Sequence, residues 1–420
     1  MRVVFLSTSQ LDGGAAIATH RYFDAFRYSG GDATFASGHV RKPGPGIVEL
    51  KHPAVVRKLV KFFFKMEKKM TAQRKIPGEG YWSAGRFPRF NRRKIEKLKP
   101  DVLCINWIND DFLSVKEIGK FKVPVVWVFH DLWAVTGGCH YPGSCKGFAT
   151  GCGNCPKLKY SGHYDWSRFL WRKKYESWSD LDVTVLCPSN WMARKVKESR
   201  LFGNRRIEVC PYSIELDIFK PMNGDKIKQS LDIKPHQKIL LFGAVNSMRD
   251  SRKGGHLLVD ALSRLEGRVP ADDLVFLVFG AHKSPELEKV PFRVINLGMV
   301  REKPDLAAYY ALSTAFVLPS LEDNLPNTVL ESLASGTPVV AFNIGGVPDM
   351  IEHNVNGFLV DKSNTALLAD ALEAMVKMPE KHYASMQKAA RRKMEEHFSR
   401  EVVGKKLNEV FESVAARSTR

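Results

Sequence analysis

The sequence predicts an α/β protein with two doubly wound domains, each built on a parallel sheet covered by helices. The chain has 420 residues, which exceeds the usual size of one domain. Short apolar segments alternate with segments of helical pattern along its length. These apolar segments are rich in β-branched and aromatic residues and are typical of buried strands.

Nine segments are predicted as buried strands. Four of them lie in the first half of the chain, at 3–8, 102–107, 123–130 and 181–189. Five lie in the second half, at 238–244, 274–280, 292–298, 314–320 and 337–342. The final stretch contains no strand candidate and is strongly helical in composition.

The domain boundary is predicted near residues 208–221, "EVCPYSIELDIFKP", since a charged, Gly-containing segment separates it from the next strand. The predicted parts are therefore a first domain at 1–211, a second at 212–395 and a C-terminal helix at 396–420. The chain contains no run of about 18 apolar residues, and its N-terminal segment lacks the small-residue cleavage site of a signal peptide. We therefore expect a soluble, cytoplasmic protein.

The formal net charge of +19 predicts attraction to an anionic partner, such as nucleic acid, anionic lipid or a phosphorylated substrate. Much of this charge lies at 51–99, where Val56, Leu59, Val60, Phe63 and Phe64 recur at helical spacing. This pattern is typical of an amphipathic helix on an anionic membrane surface, such as the inner face of the plasma membrane. The alternative is a helix that packs on the core and exposes a solvated basic face.

The segment 319–340, "PSLEDNLPNTVLESLASGTPVV", predicts a loop at the end of a strand followed by a helix that starts after Pro326. Ligands of open parallel sheets bind at the carboxyl ends of strands, and the first backbone N–H groups of a helix attract anions. Glu331, about one turn further, can accept hydrogen bonds from vicinal hydroxyls such as those of a ribose. Asp323 lies eight residues before it in the loop. The alternative is a helix merely capped by Asp323 or Asn324.

Two loops of the first domain have weaker signals. Gly13 and Gly14 follow the first strand and let the backbone approach a ligand closely, although such a pair is often just a tight turn. His130 and Asp131 fall at the carboxyl end of another strand. A lone His is more often structural, but this position favours a functional role.

Four cysteines at 137–156 need a separate explanation. Cys139, Cys145, Cys152 and Cys155 have the spacing C-x5-C-x6-C-x2-C, with glycines between them. In a reduced cytoplasm this pattern favours a structural zinc ion bound by four thiolates. The alternatives are two disulfides or free thiols.

The pattern of an acid, seven residues and a Glu, followed by "SLASGTPVVAFNIGGVPDMIEHNVNGFLV", is similar to the signature of the retaining, nucleotide-sugar-dependent glycosyltransferases of family 4. The segments "LGMVREKPDLAAYYALSTAFVLPS", "CPYSIELDIFKP" and "RKGGHLLVDAL" also resemble this family. The resemblance covers nearly the whole chain and implies the GT-B fold, with two facing Rossmann-like domains and a C-terminal helical segment that packs back on the first.

The resemblance implies a set of donor-binding residues in the second domain. Asp323, where most of the family has Glu, bonds the hydroxyls of the donor sugar, and Asn324 and Leu325 approach the same sugar mainly through their backbone. Asn327 and Thr328 bind the distal phosphate. The shorter Asp side chain at 323 is a departure from the family pattern.

The remaining donor contacts come from Glu331, which takes the ribose, and from the loop 246–255. Lys253 matches the phosphate-binding Lys of the family. The usual Arg after the strand-end Gly is replaced by Ala244, so Arg249 or Arg252 is expected to substitute, with Arg252 preferred. Charged groups bind phosphate strongly, yet a merely solvated basic loop has the same sequence pattern.

In the first domain, the resemblance implies that Gly13 and Gly14 approach the donor diphosphate and that His130 bonds the donor sugar. His130, Lys253 and Asp323 are therefore the predicted catalytic residues. The chain shows no carboxylate pair of the kind that glycosidases use. No metal or other cofactor is expected to be required for catalysis, because Lys253, its Arg neighbour and the helix N-terminus neutralise the diphosphate.

The predicted reaction is transfer of a sugar from a nucleotide diphosphate sugar to an acceptor hydroxyl, with retention of configuration. The expected acceptor is a saccharide, lipid-linked as in bacterial surface-polysaccharide assembly. A nucleotide-sugar epimerase or a sugar-phosphate glycosyltransferase on the same fold is the nearest alternative. A basic zinc-knuckle protein that binds nucleic acid is an alternative of another class, but the sequence shows no module of stacking aromatic residues, so no nucleic-acid partner is expected.

Overall fold

The computed structural model of the protein describes residues 1–87, 91–110, 112–243, 248, 250–280 and 285–418. The chain divides into two compact units. Unit 1 comprises Met1–Ser213 and the chain from Val403 onward, and unit 2 comprises Ile214–Val402.

Unit 1 contains a parallel sheet of seven strands in the order β3-β2-β1-β4-β5-β6-β7. The strands are β1 (Arg2–Ser9), β2 (Asp32–His39), β3 (Ile47–Glu49), β4 (Val102–Ile105), β5 (Val125–Val128), β6 (Val183–Cys187) and β7 (Arg206–Val209). The chain order reverses between β1 and β4, so this is the switch point at which open α/β sheets bind ligands.

Unit 2 contains a parallel sheet of six strands in the order β10-β9-β8-β11-β12-β13. The strands are β8 (Lys238–Gly243), β9 (Leu274–Phe279), β10 (Arg293–Gly298), β11 (Ala315–Leu318), β12 (Val339–Phe342) and β13 (Gly357–Val360). Here the order reverses between β8 and β11, and the loops that follow these two strands meet at the switch point.

Thirteen α-helices of the described chain accompany the sheets. In unit 1 they are α1 (Gly14–Tyr28), α2 (Ala54–Arg74), α3 (Arg92–Glu96), α4 (Val115–Ile118), α5 (Trp166–Trp178) and α6 (Asn190–Lys197). In unit 2 they are α7 (Asp225–Ser230), α8 (Gly255–Ser263), α9 (Lys303–Ala311), α10 (Asn327–Ala334), α11 (Thr365–Val376) and α12 (Glu380–His397), and α13 (Arg400–Ser418) follows α12.

All nine predicted strands are confirmed. The sequence analysis missed β2, β3, β7 and β13. β3 and β7 are the two edge strands of their sheet, and all their residues are only half-buried. Edge strands lack the continuous apolar runs that made the central strands recognisable.

The helix α13 confirms the prediction that the C-terminal segment packs on the first domain. The ring of Phe411 lies 5.7 Å from that of Phe5 and 5.0 Å from that of Phe26, measured between ring centroids. Asn408 donates a hydrogen bond to the Ser29 hydroxyl oxygen at 2.8 Å. Among the described residues, no helix is both long enough and apolar enough to cross a membrane.

Candidate functional site

The loops after β8 and β11 are bound to each other at the switch point of unit 2. The backbone N–H of Leu321 donates to the carbonyl of Arg252 at 2.8 Å, and the Arg252 guanidinium donates to the carbonyl of Glu322 at 2.9 Å. Gly254 has a φ of 70°, and a Cβ at this position would lie 1.8 Å from the carbonyl oxygen of Pro319. Only glycine allows this close approach, which places Lys253 against the second loop.

A cluster of charged side chains forms where these loops meet. Lys253 Nζ lies 2.7 Å from Asp323 Oδ2, and Arg252 Nη1 lies 3.5 Å from the same oxygen. Arg252 also pairs with Asp250 at 3.1 Å. Burial raises the pKa of Asp323, but the charges of Lys253 and Arg252 outweigh this effect and hold the pKa below its ordinary value. The carboxylate is therefore ionised at neutral pH.

A third loop, after β12, fixes the backbone of Asp323. The N–H of Gly346 donates to the Asp323 carbonyl at 3.3 Å. Gly345 has a φ of 55°, and a Cβ there would lie 1.7 Å from that carbonyl oxygen. The carbonyl of Asp323 thus contacts the backbone of the glycine pair, and the side chain is left to face Lys253.

The helix α10 begins at Asn327, as predicted, with Pro326 at the N-cap position. Pro326 has no side-chain cap hydrogen bond, and the Asp323 carboxylate is held by Lys253. The Asp323 side chain is therefore not the cap of α10. The N–H groups of Asn327 and Thr328 occupy the first turn, where a helix has no internal acceptors for them and attracts anions.

Glu331 lies on the same helix and is 6% exposed. The hydroxyl of Tyr310, a fully buried residue of α9, donates to its Oε2 at 3.2 Å. Sequence reasoning did not identify Tyr310 as a site residue. Asn324 and Leu325 are buried in the loop before α10.

In unit 1, His130 follows β5 and belongs to a buried polar network. Its Nδ1 lies 2.8 Å from the Tyr212 hydroxyl and its Nε2 lies 3.0 Å from Asn106 Oδ1. Burial lowers the pKa of His130 to about 4, so the ring is neutral at neutral pH. A ring that donates from Nε2 to Asn106 and accepts at Nδ1 from Tyr212 satisfies this network. The Thr19 hydroxyl lies 3.4 Å from the same Nε2. Sequence reasoning identified none of these partners.

A group of aromatic and acidic side chains lies beside His130. Asp131 Oδ2 accepts from Trp107 Nε1 at 3.2 Å and lies 2.7 Å from His140 Nδ1. The ring of Tyr81 lies 4.8 Å from that of His140 and 6.2 Å from that of Trp107, and its hydroxyl donates to Asp110. We call Tyr81, Trp107, Asp110, Asp131 and His140 the aromatic-acid cluster.

Gly13 caps α1 and has a φ of 94°, and apart from its chain neighbours no heavy atom of the described residues lies within 4 Å of where its Cβ would be. Glycine is thus required there by its backbone conformation, and the loop has open space beside it. Gly14 begins α1, as predicted. Arg249 lies outside the described residues. Arg252, the preferred alternative, is the arginine that the structure places beside Lys253.

The four cysteines at 139–155 line one small cavity, together with residues such as Trp82, Phe148 and Ser167. All seven cysteines, which lie in the described chain, are free thiols, so the disulfide alternative finds no support. Burial raises the pKa of Cys139 above its ordinary value and raises that of Cys152 to about 12. Within the described chain, no three His, Cys, Asp or Glu side chains are arranged as a ready metal site, so zinc binding stays a prediction.

Two family models match the chain. The model described as "Glycosyltransferase Family 4" matches residues 50–218, and the one described as "Glycosyl transferases group 1" matches residues 237–378. A D-inositol 3-phosphate glycosyltransferase from Pseudarthrobacter chlorophenolicus is 32% identical over 183 residues, which is 41% of this chain and 43% of that protein. The chain thus spans less than half the length of this relative.

Solved structures share the fold across the whole chain. A sucrose-phosphate synthase from Thermosynechococcus elongatus matches with a TM-score of 0.67 and 16% identity, covering 99% of both chains. The Anabaena protein HepE in complex with UDP-glucose matches with a TM-score of 0.65 and 15% identity, covering 98% of this chain and 100% of that one. Two parallel sheets with these neighbours constitute the GT-B fold. The chain belongs to the family 4 glycosyltransferases.

Proposed function

We propose that this protein transfers a sugar from a nucleotide diphosphate sugar to a saccharide hydroxyl, with retention of configuration. The observation that carries the proposal is the cluster of Lys253, Arg252 and Asp323 at the switch point of unit 2, next to the start of α10. Cations and a helix N-terminus suit a diphosphate, and a buried carboxylate suits sugar hydroxyls. Structural neighbours in complex with UDP and UDP-glucose support this class of donor.

The chemistry we propose needs charge neutralisation more than proton transfer by a side chain. The bond between the sugar C1 and the diphosphate oxygen breaks, and the acceptor oxygen forms its bond to C1 on the same face. The acceptor proton passes to the leaving diphosphate. Lys253, Arg252 and the first turn of α10 stabilise the negative charge on that group, and Glu331 fixes the ribose. We therefore propose that transfer proceeds without a divalent cation, so that it persists in excess EDTA.

We propose that the acceptor sugar binds at the aromatic-acid cluster of unit 1. Tyr81 is 46% exposed, and its ring lies close to those of Trp107 and His140. Such rings contact the C–H faces of sugars, while carboxylates such as Asp110 and Asp131 accept hydrogen bonds from hydroxyls. The side-chain oxygen of Asn109, which is buried beside Trp107 and Asp131, has no hydrogen-bond partner within the described part of the chain.

A thermal-shift screen of nucleotide sugars, followed by a transfer assay, tests this function. A donor present at 100 times its Kd stabilises the unit that binds it by about 2.7 kcal/mol. For a unit of this size the expected rise in Tm is about 5–10 °C. If no nucleotide sugar raises the Tm, the proposed function is wrong. Consumption of the donor without any acceptor would instead indicate an epimerase, and steeply salt-dependent binding to RNA would favour the nucleic-acid alternative.

We further propose that α2 binds an anionic membrane surface, where a lipid-linked acceptor would be found. Val55, Leu59 and Phe62, spaced four and three residues apart on one face, are 78%, 43% and 61% exposed. Most other exposed positions of the helix are basic, namely Arg57, Lys58, Lys61, Lys65, Lys68 and Lys69.

The opposite face of α2 is anchored to unit 1. Val60 and Glu67 are buried there, and Glu67 accepts a hydrogen bond from the N–H of Gly85 at 2.7 Å. Because Val55, Leu59 and Phe62 remain largely exposed, their burial in a lipid interface gains free energy. The helix thus packs on unit 1 with one face and exposes apolar and basic side chains on the other.

Phe62→Glu should weaken binding to vesicles that contain phosphatidylserine by about tenfold or more, since it removes about 1.5–3 kcal/mol of apolar burial and adds a repelled charge. Vesicle sedimentation measures the bound fraction. Val402→Glu, at a 42% exposed position of α13, is the matched control and should bind like the wild type. If the wild type bound vesicles of neutral lipid in high salt as well as it bound vesicles with phosphatidylserine, the electrostatic part of this proposal would be wrong.

We also propose that the four cysteines at 139–155 bind a structural zinc ion. They surround one cavity, and backbone N–H groups point at two of the sulfurs. The N–H of Gly137 lies 3.2 Å from Cys152 Sγ and that of Gly147 lies 3.4 Å from Cys145 Sγ, measured from the nitrogen. Such donors stabilise metal-bound thiolates. Four thiolates leave no open coordination position, so this ion would have a structural role.

Anaerobically purified protein should contain about one zinc per chain by elemental analysis. Cys152→Ser and Cys155→Ser should lose the metal and lower the Tm. Cys187→Ser, in β6 and outside the loop, should keep the metal and serves as the control. Wild-type protein without zinc would refute this proposal.

A further inference from the structure

An open groove in unit 1 lies outside every site described so far. Its walls include Leu158, Tyr160, Tyr164, Trp166 and Phe169, and its volume is about 350 Å³. This volume falls within the range of small-molecule sites. Tyr160 and Tyr164, which both line the groove, are 79% and 82% exposed, so two large aromatic side chains face solvent there.

The polar groups of the groove favour an amphiphile over a sugar. Its one carboxylate, Asp165, caps α5 and accepts hydrogen bonds from the N–H groups of Ser167 and Cys155 at 2.9 and 2.8 Å. The indole N–H of Trp166 is buried and has no acceptor among the residues that the structure describes. The groove therefore presents mostly apolar surface, and its carboxylate is already bound by backbone donors, an arrangement that suits an apolar chain better than a sugar.

Two guanidinium groups lie over the same indole ring. The Cζ of Arg74, which also lines the groove, is 4.8 Å from the centroid of Trp166, and that of Arg86 is 4.9 Å from it. Arginine binds phosphate through paired N–H donors and can stack on an aromatic face at the same time. An anionic group is thus expected at the end of the groove near Trp166.

The groove is continuous with the basic helix proposed to bind membranes. Arg74 is the last residue of α2, and its carbonyl accepts from the N–H of Lys159 at 2.8 Å. Lys75 and Leu158 form a backbone bridge at the same point. A ligand that left a membrane along α2 would reach the groove directly, which favours a lipid over other amphiphiles.

We propose that this groove binds a phosphorylated lipid, with the apolar chain against Tyr160, Tyr164 and Phe169 and the phosphate beside Arg74 and Arg86. This inference rests on the proposed function, because it assigns the site for the lipid part of a lipid-linked acceptor. It separates the two parts of that acceptor, since the sugar is assigned to the aromatic-acid cluster and the lipid to the groove.

Farnesyl phosphate, used below its micelle concentration, tests the groove in the absence of any membrane. Titration into the full chain should give a saturable change in tryptophan fluorescence, because Trp166 lies in the groove. Binding should be at least tenfold tighter than that of farnesol, which lacks the phosphate, and inorganic phosphate should produce no change. No saturable change with farnesyl phosphate overturns the proposal, and equal affinity for farnesol overturns the assignment of the phosphate.

Variants of groove residues test where farnesyl phosphate binds. Phe169→Asp and Tyr164→Ser should each weaken binding at least tenfold, and Arg74→Gln should reduce it to the level of farnesol. Tyr164 is too exposed for its replacement to unfold the protein. Tyr175→Asp, at a 49% exposed position of α5 outside the groove, should bind like the wild type. Unchanged affinity in both groove variants would show that the lipid binds elsewhere.

The same preparation separates this inference from the proposed function. If farnesyl phosphate binds as described while no nucleotide sugar raises the Tm, the groove stands and the function fails. If nucleotide sugars bind and farnesyl phosphate does not, the function stands and the groove proposal fails.

Discussion

Replacement of Lys253 by Met should lower kcat/KM for sugar transfer by about 10²–10³-fold, the effect of removing one preorganised donor from a transition state. Lys253 Nζ lies 2.7 Å from Asp323, and its ammonium has three donors, enough to hold this carboxylate and a phosphate oxygen together. Without the ammonium, the negative charge of the departing diphosphate is stabilised only by Arg252 and the first turn of α10. Initial rates with the donor found in the screen measure the effect.

The change also removes a partner of a buried carboxylate, so loss of activity must be separated from loss of structure. Asp323 is 7% exposed, and a buried charge without its partner destabilises a protein. The double variant Lys253→Met, Asp323→Asn should recover most of the lost Tm and none of the activity. Lys381→Met, at an exposed position of α12, is the matched control. If folded Lys253→Met transferred sugar at the wild-type rate, the assignment of Lys253 to the site would be wrong.

The sequence was informative about this site because its chemistry lies in loops at strand ends. Long apolar strands predicted where the chain enters each loop, and the family resemblance assigned Lys253 and Asp323 to the donor site before their contact was known. Gly254, which allows the approach of the two loops, lies in the loop after β8, whereas Gly345, which contacts the Asp323 carbonyl, lies in the third loop, after β12. Their backbone roles depend on the carbonyls of Pro319 and Asp323, which only the structure shows.

The partners of the predicted residues could not be found in the same way. Tyr310 lies 21 residues before Glu331, and Tyr212 lies 82 residues after His130. A buried Tyr has no local sequence pattern that distinguishes a hydrogen-bonding role from ordinary packing. The sequence also could not predict which face of α2 packs on the core, because helical spacing does not indicate which apolar residues are buried. Val60 faces the core and is 4% exposed, whereas its neighbour Leu59 is 43% exposed.

Glu331→Ala and Glu331→Gln should each reduce kcat/KM for the nucleotide sugar by about 10²-fold. A charged acceptor bound to hydroxyls contributes about 1.5–3 kcal/mol for each hydrogen bond, and a ribose offers two hydroxyls. The amide of Gln keeps the size and one acceptor but loses the charge, so any residual activity should be higher in Gln than in Ala. The Tyr310 hydroxyl, which donates to Glu331 at 3.2 Å, should act by positioning it.

The assignment to the ribose is tested by changing the ligand and the residue together. Wild-type protein should bind the preferred nucleotide about 10²-fold more tightly than its 2′,3′-dideoxy form, and calorimetry measures both affinities. In Glu331→Ala this preference should nearly vanish, because the interaction that the hydroxyls make is already lost. Tyr310→Phe should keep part of the preference, since the carboxylate remains but its orientation is less fixed. A variant that still discriminates like the wild type would mean that Glu331 faces another part of the donor.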